Sequence, residues 1–177
     1  MNSAPVKKRR EGVFGIAVLL AGLTSLGLCL MPILLATTPP ERILNTVQQE
    51  RFFFDLFGII GGCWLLSWVS ALNGWKATAR LGQWLGIILL CGEEAILVGV
   101  LGDTFTHPDL IIGFWLAPIV VQFYLLALFL GFFTLPSLTQ SGNLRLTGLG
   151  TLTLLLPWLV GREVVIAGAQ YLHGLQF

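Results

Sequence analysis

Four ionisable residues stand inside long apolar runs, where each is costly to place. Glu93 and Glu94 lie in Cys91-Gly92-Glu93-Glu94-Ala95, and Arg162 and Glu163 in Gly161-Arg162-Glu163-Val164. A charge at mid-bilayer costs about 2.5–3.5 kcal/mol on insertion scales, so four facing lipid unpaired would cost on the order of 10 kcal/mol. Such groups must face protein or water, pair with one another, or take up a proton. One arginine against three acids leaves acid over. An acid without a base can carry a proton or hold a cation, and intramembrane ionisable residues are read that way first. Glu93, Glu94, Arg162 and Glu163 are therefore the expected ion or proton site, or a buried ion pair, with Arg162 bonded to Glu93 or Glu94.

The runs that hold these residues set the class of fold. The chain has 177 residues, of which 55% are hydrophobic and 11% charged, whereas a soluble domain averages about 25% charged. Apolar runs of about 18 residues or more read as membrane helices. Five spans are expected, at about 12–36, 52–72, 81–102, 110–135 and 146–169, giving an all-α polytopic transmembrane helix bundle. Residues 1–11 form a basic N-terminal segment, 12–170 a single transmembrane domain with a short amphipathic segment at 41–51, and 171–177 a short outer tail. The first span follows Lys7-Lys8-Arg9-Arg10 as a signal peptide would. A cleaved signal has an apolar region of only about 7–15 residues, so this longer run is expected to be retained. Pro39-Pro40, Asn73-Gly74, Pro108 and Pro136 supply the breaks between spans.

Lysine and arginine bias gives the orientation. With the N-terminus inside, Lys7, Lys8, Arg9, Arg10, Lys76, Arg80 and Arg145 face inward and only Arg42 and Arg51 outward, so N-in and C-out is expected. Trp68, Trp75 and Trp84 then form an inner aromatic belt. The short loops and the lack of an N-x-S/T sequon point to a prokaryotic inner (cytoplasmic) membrane or an equivalent organellar one. Outer-membrane barrels need a period-2 pattern that these runs lack.

A helical wheel adds packing expectations. On the third span Gly92, Ala95 and Gly99 share one stripe, with Glu93 and Glu94 roughly opposite; on the fifth, Gly161 and Gly168 stand roughly opposite Arg162 and Glu163. Gly58 and Gly62 form a GxxxG pair. Small residues let membrane helices approach closely, so Gly58, Gly62, Gly92, Gly99, Gly161 and Gly168 are expected packing positions. Helices with both a small stripe and a charged face need protein or water on two sides, which puts the third and fifth spans at the centre. Asp55 is either an acid answering a helix dipole or part of an outer vestibule. Pro118 with Gln122, and Pro157, mark kinks, the first with a polar handle.

Other chemistries find little support. Cys29, Cys63 and Cys91 lie inside apolar runs without a CxxC and read as small buried hydrophobes. His107 and His173 lie outside the spans, so no haem or zinc centre is expected. No phosphate loop, nucleophile elbow or HExxH occurs, so no cofactor, metal or catalytic residue is assigned; an enzyme reading rests on Glu93 and Glu94 as an acid–base pair alone. The net charge of +1 gives no reason for a nucleic-acid partner. Arg162-Glu163 resembles the opening of the R-E-x-x-E signature of iron permeases, with Ile166 where the second acid stands. Glu41-Arg42-Ile43-Leu44-Asn45 resembles the E-R-x-x-N stretch of the MAPEG membrane enzymes, followed here by a different span count. Neither resemblance extends beyond a handful of residues. Two functions follow: a small proton- or cation-coupled transporter or ion-translocating subunit, or a non-catalytic accessory subunit or assembly factor of a larger membrane complex. Either way the partners are the lipid bilayer and further copies or other subunits.

Overall fold

The computed structural model describes residues 4–34, 51–105, 112–140 and 142–174, with side chains over 8–30, 55–99, 119–140 and 142–159 and at Ala167 and Tyr171. The expected amphipathic segment, apart from Arg51, and most of the 103–109 loop lie outside the described residues, as do the side chains of Pro118, Arg162 and Glu163 and the surroundings of Gly161 and Gly168.

Five helices follow in order: α1 (Ala4–Leu34), α2 (Arg51–Leu72), α3 (Lys76–Phe105), α4 (Ile112–Gln140) and α5 (Leu144–Gly174), with no strand among the described residues. By length and composition α1 to α4 can each cross a membrane, and the described part of α5, Leu144–Leu159, is also apolar. The fold is a helical membrane bundle. Two helices begin earlier than expected, because Lys and Arg are good helix formers and nothing in the basic segments stops a helix. The helix α4 runs through Pro136 rather than ending there. A proline deletes one N–H, and here nearby hydroxyls bond back along the helix: Thr134 to Leu130 O at 3.0 Å, Ser137 to Thr134 O at 2.8 Å and Thr139 to Leu135 O at 2.9 Å.

Both described turns close on a left-handed glycine. Gly74 has φ 75 and Gly142 φ 82. At the first, Trp75 N bonds Ser70 O at 2.8 Å and Gly74 N bonds Ala71 O at 3.2 Å. At the second, Asn143 N bonds Leu138 O at 3.3 Å and Gly142 N bonds Thr139 O at 3.1 Å. This is the paired C-terminal cap that a glycine without a Cβ makes cheaply.

Contacts fix the arrangement. Phe57 meets Tyr124 at 5.2 Å and Trp64 meets Phe132 at 4.9 Å between ring centroids, so α2 and α4 run parallel. The two turns therefore lie at one end of the bundle. Asn143 donates to Glu11 at 3.0 Å, which brings the start of α1 to the same end.

The centre is α4, not α3 and α5 as the wheel predicts. Half of the apolar window of α4 is buried against 22% for α1, and α4 packs against every other helix. Among the described residues α3 and α5 do not pack together at all. The reason is compositional. The described part of α4 has no charge to keep from lipid or core, so it can bury more than one face: Tyr124, Leu128, Phe132 and Leu135 on one side, Leu125, Ala127 and Leu138 beside them. Trp64 locks three helices. Its ring lies edge-on to Phe132, and its indole N–H donates to Thr151 at 3.1 Å, satisfying the polar end of a fully buried ring.

The packing glycines also differ from expectation. Gly58 packs against Trp158, with the ring 3.2 Å from where a Cβ would stand. Gly62, Gly92 and Gly99 have nothing within 4 Å there and face outward. Gly82, Gly86, Gly131 and Gly150 do the close packing instead, against the α2 backbone, Phe132, Trp64 and Phe14. A wheel gives the angle between residues, not which stripe faces inward. Cys29 and Cys91 are likewise exposed rather than buried, on faces turned to the surroundings, and Cys63 is half-buried; all three are free thiols.

Candidate functional site

On α3 the buried stripe runs Ile87, Leu90, Glu93, Leu97. The steps of three and four residues are those of one helix face. Glu93 thus holds a core position in which every neighbour along the stripe is aliphatic. It is 0% exposed, and neither carboxylate oxygen has a hydrogen-bond partner among the described residues. A buried polar group left unpaired is rare and needs an explanation. Glu94, about 100° round the helix, sits at the edge of the interface and accepts a 2.5 Å hydrogen bond from Gln122 of α4.

That bond sets the level of Glu93 against α4. Gly86 lies opposite Phe132. Seven residues along α3 and eight back along α4 are about 10–12 Å each at the helical rise. Glu93 is therefore level with Tyr124, a residue that sequence reasoning passed over. Tyr124 is 4% exposed. Its hydroxyl donates to the Leu154 carbonyl of α5 at 2.8 Å. That carbonyl lies three residues before the buried Pro157 within α5. A proline inside a helix is a recognised cause of bending.

The site is thus a carboxyl whose two oxygens accept from no described residue, a second carboxyl held by an amide, and a tyrosine that bonds this level to the backbone of α5. Gln122, expected as a polar handle at a kink, is the partner of Glu94. Asp55 is exposed on α2, and the α2–α4 register brings it level with Gln122. The expected pairing of Arg162 with Glu93 or Glu94 involves side chains outside the described residues; among the described residues α3 and α5 do not meet. The helix beside α5 at that level is α2: Gly58 and Gly61 pack on Trp158 and Leu155, and residue 162 is one turn further on. No three of His, Cys, Asp and Glu converge among the described residues. Tyr124 had one signal in the sequence. It is one of only two tyrosines, placed within a strongly apolar run.

Removing that hydroxyl tests the bond between α4 and α5. Tyr124→Phe is expected to cost about 0.6–1.7 kcal/mol, the range for hydrogen bonds between membrane helices. Reversible unfolding in mixed detergent measures it. A larger loss would mean that the ring, stacked on Phe57, is displaced as well.

Comparison with known protein families, curated proteins and solved structures finds no match.

Proposed function

We propose that this protein moves a proton or a small cation across a membrane, with Glu93 as the group that carries it. The supporting observation is the fully buried carboxyl whose two oxygens have no partner among the described residues. A structural carboxylate is ordinarily satisfied by a base or by donors. One left open to accept is suited to a transient partner, and the hard oxygens of Glu93, Glu94 and Gln122 offer only acceptors to a proton or cation. Glu94 and Gln122 position the site; Tyr124 couples it to α5. Arg162 and Glu163 remain candidates for the charged part of the path, and Asp55 for its exposed mouth. The reading places the basic end of the bundle in the cytoplasm of a prokaryotic or organelle-type inner membrane, N-in and C-out, following the lysine and arginine bias. Five helices are few for a solitary transporter, so it acts as a homo-oligomer or as an ion-translocating subunit.

A second reading has its own support. Gly92 and Gly99 leave an open small-residue strip on the outward face of α3, which suits a helix of another subunit. Glu93 would then be a polar lock in an accessory subunit. The test is flux. Full-length protein in sealed vesicles should dissipate an imposed proton or cation gradient faster than empty vesicles. Glu93→Gln should return the rate to background while leaving protein level and folding unchanged. Wild-type flux at background would end the transport reading.

A further inference from the structure

The end of the bundle that holds both turns carries an unbalanced positive charge. Lys8, Arg9 and Arg10 near the start of α1, and Arg145 at the start of α5, are all exposed. The hydrogen bond from Asn143 to Glu11 brings these two helix starts together. Every one of the four cations lies within about one turn of that bond along its own helix. Against these four cations stands one nearby acid, Glu11, whose hydrogen-bond partner is an uncharged amide, and none of the four forms an ion pair among the described residues. The apolar runs begin just beyond these cations, at about residue 12 on α1 and about residue 146 on α5. The cations therefore sit where the lipid headgroups begin.

We propose that this cluster is a binding site for an anionic phospholipid, with Arg9, Arg10 and Arg145 holding the headgroup phosphate. Guanidinium groups match phosphate oxygens two at a time, better than a point charge does. Charge and depth select this occupant over a soluble acidic protein, because the site lies in the plane of the headgroups. Each cation near an anionic surface raises the local preference by about fivefold before screening, and salt at physiological strength reduces it within about 8 Å. A diffuse positive field would act the same way at Lys76 and Arg80, also exposed and at the same end. These two stand on α3, which packs against neither α1 nor α5 among the described residues. They are an internal control.

The experiment uses full-length protein in phosphatidylcholine vesicles with chain-spin-labelled phosphatidylglycerol or phosphatidylcholine as the probe. The motionally restricted fraction gives the relative association constant. Wild type should prefer phosphatidylglycerol by about fivefold or more. The triple change Arg9→Gln, Arg10→Gln, Arg145→Gln should bring the ratio close to one. Glu11→Gln, which removes the local acid, should raise it. Lys76→Gln with Arg80→Gln should leave it unchanged, and 10 mM inorganic phosphate should not displace the lipid. Equal association of the two lipids in wild type overturns the proposal. So does an equal loss in the Lys76/Arg80 variant, which would reveal a field rather than a site, or displacement by free phosphate, which would make the occupant a soluble anion.

Discussion

Glu93→Leu should give a protein that is more stable than wild type and transports nothing. Glu93 holds a core position between Leu90 and Leu97, with no donor for either oxygen among the described residues. An unsatisfied buried polar group costs about 1–3 kcal/mol. A leucine of similar size removes that cost and continues the aliphatic stripe, so a gain of about 1–3 kcal/mol in unfolding free energy is expected. Glu93→Gln keeps shape and polarity, so its stability should change by less than about 1 kcal/mol. Both lose the carboxyl that, on the proposed reading, accepts a proton or cation. A stabilised but inactive variant is the mark of a residue kept for function at the expense of the fold. The opposite outcome is equally informative. If Glu93→Leu unfolds or fails to accumulate, the carboxyl is bonded to a group beyond the described residues, in this chain or a partner, and the reading of Glu93 as a polar lock gains. Glu94→Leu supplies the contrast. It breaks the bond from Gln122 and strands that amide in a half-buried seam, so it should destabilise.

The class of fold was legible because the bilayer imposes it. Long apolar runs have few alternatives to helices, and Asn73-Gly74 announced its own turn. Helix ends were less legible. Where Lys76 to Arg80 reads as a polar loop, it is equally good helix, and hydropathy sees only the polarity. The second turn is harder to read, because Pro136 is the stronger breaker in the sequence while Gly142 provides the left-handed cap. The site was half legible. Cost alone pointed to Glu93 and Glu94, and Gln122 was singled out for its depth. What the sequence could not supply was the rotation of each helix. In water, polar faces mark the outside. In a bilayer both core and lipid are apolar, so hydropathy has no outward face to point to. The small-residue stripe was therefore assigned to the inside, and α3 to the centre. The same holds for Tyr124: its importance comes from Leu154 on another helix, thirty residues away.

That rotation can be measured on its own terms, through two glycines of α3. Gly82→Val should disrupt the packing of α2 on α3, while Gly92→Val should be nearly silent. A Cβ at Gly82 would stand 2.9 Å from the Cys63 carbonyl oxygen and 2.9 Å from the Ser67 nitrogen. Both are backbone atoms, which no rotamer change can move aside. The helices would have to separate, and the Ser67 hydroxyl would lose its 2.9 Å bond to the Ala79 carbonyl. Overpacking of this kind costs about 1–3 kcal/mol, often more where backbone must shift. A Cβ at Gly92 meets nothing within 4 Å, and removing a glycine from a helix interior favours it by a few tenths to ~1 kcal/mol. Unfolding in mixed detergent separates the two variants. The comparison reaches the functional site as well. Gly82 and Glu93 are eleven residues apart, about three turns plus 20° at 100° per residue, so they lie on nearly the same face of α3. If Gly82 tolerated valine and Gly92 did not, α3 would be turned by roughly a quarter of its circumference. Glu93 would then leave the α4 seam, and the case for a buried carboxyl would fall with it, before any flux had been measured.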